Sequence, residues 1–222
     1  QSGSLPESHR RVPRLNGDDV TAPASKPLDK IRQSVTAQPL TGSQRRRFLI
    51  PHFEHDQIVQ QPSEASAIAE GTRVRIYMDL SLVDTGSELP ENYPLRDMAN
   101  RACETIENEL LPWVEQWSGR ITDLDGDRYL SVVLTDLDRR EFSDETPVLG
   151  CVRRQDFIEG DQNSLSGDIL YLDQHLPPHE QLRALLAHEL THAAVFCIRH
   201  EAANESPLKD HAVPSWLNEA AA

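Results

Sequence analysis

At 222 residues the chain can hold one ordinary domain and an arm. Its 36 Asp and Glu against 22 Lys and Arg give a net charge of −14 at pH 7, which in the body serves solubility. An acidic body excludes nucleic acid as the main partner, because phosphate contact needs a basic face. No apolar run reaches the roughly 20 residues of a membrane-spanning helix.

Three cysteines, Cys103, Cys151 and Cys197, contain no C-x-x-C pair. They are too few for a disulfide framework, though one bridge and a free thiol are possible. A start at Gln1 is expected of a processed piece of a longer product. A signal peptide would already be gone, so location stays open, with an extracytoplasmic one favoured.

Residues 1–48 carry Pro6, Pro13, Pro23, Pro27 and Pro39 among polar and basic residues. Such a segment cannot bury enough apolar surface to offset its ordering entropy, which predicts a disordered or loosely docked basic arm. Arg45-Arg46-Arg47 closes it as a solvated charge run, or alternatively as a protease-sensitive propeptide junction. The domain itself is expected over residues 49–222.

Thr72–Leu80 alternates polar and apolar residues and predicts a half-buried strand. Pro94 opens a long amphipathic helix, with Met98, Ala102, Ile106, Leu110 and Val114 at four-residue steps and Gly119 ending it. Pro112 predicts a kink or break near its end. In Asp123-Leu124-Asp125-Gly126-Asp127 the glycine falls fourth, where a calcium loop needs it sixth. A tight turn is the preferred reading. Strands at Tyr129–Leu134 and Ile169–Leu172 follow, separated by a polar connection of more than thirty residues. Asp173–Pro178 is a turn, and Pro177-Pro178 is well placed to start a helix running to about Ile198. On it Leu182, Leu186, Leu190, Ala193 and Cys197 form the face to be buried. Leu185, His188, Glu189, His192 and Phe196 turn toward another side.

His188-Glu189-Leu190-Thr191-His192 is the most informative run in the chain. Histidines four apart on a helix sit one turn above each other, so their imidazoles can converge on one metal ion. The intervening carboxylate is placed to deprotonate a water there. Burial of the pair as ordinary core groups fails to explain Glu189, an uncompensated charge beside them. Downstream, Pro214-Ser215-Trp216-Leu217-Asn218-Glu219-Ala220-Ala221 reads as the start of another helix.

This combination resembles the gluzincin metallopeptidases, with H-E-x-x-H followed by a helix carrying N-E-x-x-A or W-L-x-E. The resemblance covers the last forty or so residues. It implies zinc ligation by His188, His192 and Glu219, with Glu189 as general base. Ala220 stands where the family often has glycine, and the place of a frequent orienting aspartate would be residue 223. The implied fold is α+β: a zincin-like N-terminal subdomain with a small mixed sheet, a long backing helix and the histidine helix. In the family, the strand before that helix is an edge that pairs with extended substrate. Here that would be Asp168–Leu172, with an interior strand as the equal alternative.

Related metal-site classes are excluded on residues. Val195 and Ile198 stand where a metzincin needs glycine and histidine, and no glycine follows Gly167 to supply a G-x-x-D ligand. Two histidines and a carboxylate leave zinc an open fourth position, the catalytic arrangement. The expected activity is therefore zinc-dependent endopeptidase cleavage of a peptide or protein substrate. A second reading is a zincin-like binding or structural module that holds zinc with little turnover. The end at Ala222, three residues after Glu219, and the missing second lobe support it; a truncated active enzyme explains the same ending and is preferred.

Overall fold

The computed structural model describes residues 44–54, 57–83, 95–140, 147–157, 166–177 and 179–205. Two long strands, β1 (Arg45–Glu54) and β2 (Gln57–Glu70), form a hairpin registered from Arg45 opposite Ser66 to Glu54 opposite Gln57. β2 pairs antiparallel with β3 (Val74–Asp79), with a bulge between Ala67 and Ala69. From there β3, β4 (Leu130–Thr135) and β6 (Ile169–Asp173) run parallel. The short β5 (Gly150–Val152) returns antiparallel on β6, giving the order β1-β2-β3-β4-β6-β5. The architecture is mixed α+β, as expected.

The central strands are apolar on both faces because both faces are covered. Every residue of β4 and β6 is buried. On one face, Val74, Ile76, Met78, Val132, Leu134, Leu170 and Leu172 meet the helices. On the other, the hairpin curls back so that Phe48 and Ile50 cover Tyr77, Val133, Ile169 and Tyr171. Backbone bonds fasten the curl, from Phe53 N–H to the Leu137 carbonyl at 2.8 Å and from Arg139 N–H to the Phe53 carbonyl at 2.9 Å. The Leu49 carbonyl accepts from the Arg153 guanidinium at 2.6 Å and the Tyr171 hydroxyl at 3.2 Å.

The backing helix forms in three parts: α1 (Leu95–Thr105), a π turn (Ile106–Leu110) and α2 (Leu111–Ser118). Pro112 is the cause of the break. It has no N–H to give to the preceding turn, and the wider turn ahead of it removes that demand. Leu111 N–H bonds instead to the Ile106 carbonyl, five residues back. Gly119, at φ 87°, ends α2, and a side chain there would also strike Ile198. Within the π turn, Glu107 points its carboxylate at the β2–β3 turn and accepts from the N–H groups of Arg73 and Val74. The last helix, α3 (His179–Glu205), begins directly after Pro177-Pro178. Among the described residues no helix is long and apolar enough to cross a membrane.

Two expectations change and one open alternative closes. β3 lies inside the sheet, not on a half-exposed side. Its one half-buried residue, Arg75, lays its guanidinium over the Tyr129 ring at 3.8 Å and pairs with Glu70 at 2.7 Å. Of the two equal readings for the strand before the histidine helix, the interior one holds, since β6 lies between β4 and β5. Arg45-Arg46-Arg47 opens β1 instead of closing an arm; Arg45 and Arg47 are exposed, as expected of a solvated run, and Arg46 is not. Arg46 reaches Asp125 at 2.5 Å and Asp127 at 3.0 Å, cations and carboxylates that the sequence separates by some eighty residues. The expected arm before residue 44 lies outside the described residues.

Because Arg46 ties the hairpin to the Asp125–Asp127 turn, Arg46→Ala should destabilise the protein by about 1–3 kcal/mol, leaving partly buried carboxylates unpaired. Thermal denaturation measures the loss, and a melt indistinguishable from wild type would refute the tie. In the wild type, trypsin should spare the bonds after Arg45, Arg46 and Arg47, and in Arg46→Ala it should cut them early.

Candidate metal centre

The rotation of α3 about its axis decides where its polar residues point. Leu182, Leu186, Leu190, Ala193 and Cys197 are all buried in the core between helix and sheet. That stripe turns His188, Glu189 and His192 to the neighbouring side of the same helix. The two imidazole rings lie edge to face, centroids 4.5 Å apart, with their Nε2 atoms 3.0 Å from each other. Metal–nitrogen bonds of about 2.0–2.1 Å at a tetrahedral angle would place two ligand nitrogens about 3.3 Å apart. The pair fits a shared ion within a few tenths of an ångström, and imidazole nitrogens suit zinc.

His192 is 6% and Glu189 4% exposed, while His188 is half-buried, so the site opens on the His188 side. Phe196, one turn beyond His192, lies roughly parallel to its ring at 6.5 Å, and Phe157 packs on Phe196 at 5.6 Å. These rings exclude water behind the second histidine. Glu219 and the helix expected around it lie outside the described residues. Of the expected site, the structure brings His188 and His192 together, and it sets Glu189 of the same helix against β5.

β5 runs past this group, with Gly150 seated against Leu185 and Glu189. The strand was missed from sequence because it is three residues long within a polar connection. The apolar run Val148–Val152 was its available signal. The Leu149 carbonyl accepts from Asp173 N–H at 2.9 Å. Alternate residues of an antiparallel ladder turn their backbone groups to opposite sides, so Gly150 and Val152 direct theirs away from β6. Among the described residues no strand pairs with that side. Burial pushes the Cys151 thiol far up from its usual range, and the charge of Glu189 adds to the effect.

The Asp123–Asp127 run is a turn. Asp123 accepts from Gly126 N–H at 2.8 Å and Arg128 N–H at 2.9 Å, and Asp127 accepts from Tyr129 N–H at 2.8 Å. Asp168, from the start of β6, joins it by accepting from Leu124 N–H at 3.2 Å. Burial raises the Asp168 carboxyl to about 7, with the charges of Asp125 and Asp123 adding to the shift.

Two outcomes follow from this geometry. Dialysed protein should retain about one zinc, and His188→Ala or His192→Ala should reduce it to background in metal analysis; undiminished zinc in both variants would refute the assignment. The second concerns Asp168. Its carboxyl releases a proton near pH 3.8 when unfolded and near 7 when folded. Between those values the folded state holds more protons, so this group's contribution to stability falls as pH rises from about 4 to about 7. Asp168→Asn should therefore raise stability at pH 8 more than at pH 4 in denaturant titrations; an equal change at both would show that the carboxyl ionises normally.

No protein-family model matches this chain and no curated protein is significantly similar to it, so the functional reading stands on the side chains themselves.

Proposed function

We propose that this protein is a zinc-dependent peptidase of the gluzincin type, with a zincin-like fold. The observation that carries the proposal is the convergence of His188 and His192 at 3.0 Å, with the buried Glu189 between them beside an open strand edge. The arrangement of elements agrees with the reading. A mixed sheet is backed by one long helix, the histidine helix packs on the same face, and a short antiparallel strand borders the site. The edge role falls to β5 and not to β6. Glu219 is proposed as third ligand on the motif alone.

Zinc, when bound, supplies Lewis acidity: it lowers the pKa of a coordinated water toward neutrality and polarises a peptide carbonyl. The chain's own groups do the rest. Gly150 and Val152 offer N–H and C=O groups to an extended peptide, which adds as a further strand and is held in one register. Glu189 takes the proton from the attacking water on a carboxylate oxygen and passes it to the leaving amine. Its burial keeps bulk water from competing for that proton. Phe196 and Phe157 hold the His192 side dry, which strengthens the electrostatics of the site.

Glu189→Gln removes the base and leaves both histidines. It should keep zinc and lose hydrolysis of a cleaved peptide by on the order of 100-fold or more. Equal rates in variant and wild type would rule Glu189 out as the base. Failure of the zinc-loaded wild type to cleave any peptide in a diverse library would leave a zincin-fold binding module in place of an enzyme.

A further inference from the structure

Gly150 is where the bordering strand and the histidine helix come closest to conflict. A methyl group there would lie 3.1 Å from Glu189 Cγ, 3.2 Å from Glu189 Oε1 and 3.1 Å from Leu185 Cδ1. These distances are several tenths of an ångström inside ordinary contact. The backbone does not require glycine, because only Gly119 and Gly126 among the described glycines have positive φ. The close approach is the sole local demand on the position.

Neither neighbour can retreat as a whole. α3 is locked by Leu186, Leu190 and Ala193, each fully buried, and β5 is held on β6 from Gly150 opposite Leu172 to Val152 opposite Leu170. What can give are the side chains of Glu189 and Leu185. Gly150 turns its own N–H and C=O away from β6. The missing side chain therefore sets the distance between the backbone groups offered to a peptide and the carboxylate that works on it.

We infer that Gly150 is a positioning residue, whose lack of a side chain holds the Glu189 carboxylate in its working place against β5. Its catalytic meaning rests on the peptidase reading; the contact itself does not. Displacing a general base by a fraction of an ångström leaves substrate binding intact and slows the chemical step.

The test is Gly150→Ala in the whole protein, followed by zinc content, thermal midpoint and steady-state kinetics on a peptide the wild type cleaves. Zinc should be unchanged, KM should stay within about twofold, and kcat should fall about tenfold or more. An unchanged kcat, or a loss carried wholly by KM, would overturn the inference. A thermal cycle reads the contact without catalysis. The drop in midpoint caused by Gly150→Ala should shrink to less than about half in a Glu189→Ala background, where the conflict is relieved. An equal drop in both backgrounds would overturn the contact. If the wild type cleaves no peptide, the peptidase reading fails while this cycle still decides the placement of Glu189.

Discussion

The site depends on one constraint: the rotation of α3 about its own axis. Five buried side chains at helical spacing fix that rotation, and the three leucines among them, Leu182, Leu186 and Leu190, contribute about 1.5–3 kcal/mol each on leaving water. A helix held in this way cannot turn by even one residue without exposing a leucine. The imidazoles of His188 and His192 inherit their direction from that packing. So does Glu189, which no amount of local chemistry would bury unless the core on its flank required it.

The sheet supplies the second half of the arrangement. Three parallel strands buried on both faces need a cover on each, and the chain provides two kinds. Helices take one face. The other is closed by the curled β1–β2 hairpin, fastened at one end by Arg46 on Asp125 and Asp127 and at the other by Phe53 on Leu137 and Arg139. With the hairpin end of the sheet engaged in this way, the edge of β5 beside Glu189 is one that no described strand covers.

What could be read in advance divides along physical lines. The histidine helix, its buried stripe and the pairing of His188 with His192 were legible because they are set by spacing within one segment. The strands at Leu130–Thr135 and Ile169–Asp173 were legible as apolar runs. The hairpin was not, because Arg45-Arg46-Arg47 looks like a surface run until carboxylates some eighty residues away neutralise Arg46. β5 was hidden for a related reason: three residues carry almost no periodicity, and their strand character comes from pairing with β6. Whether β6 lay inside or at the edge also depended on that unseen neighbour.

The π turn in the backing helix has a consequence for the stripe it carries. Apolar residues at strict four-residue steps gain about 40° per step on a helix of 3.6 residues per turn, so the stripe from Met98 to Val114 would wander by about 160° around a regular cylinder. One face of a sheet cannot stay in contact with a stripe that winds so far around a helix. The wider turn at Ile106–Leu110 winds the backbone more slowly and takes up part of the lag, so Ala102, Ile106, Leu110 and Val114 all reach the same core. Pro112 and the four-residue spacing are thus two expressions of one choice, a helix whose phase is reset midway to keep its stripe on one face of the sheet.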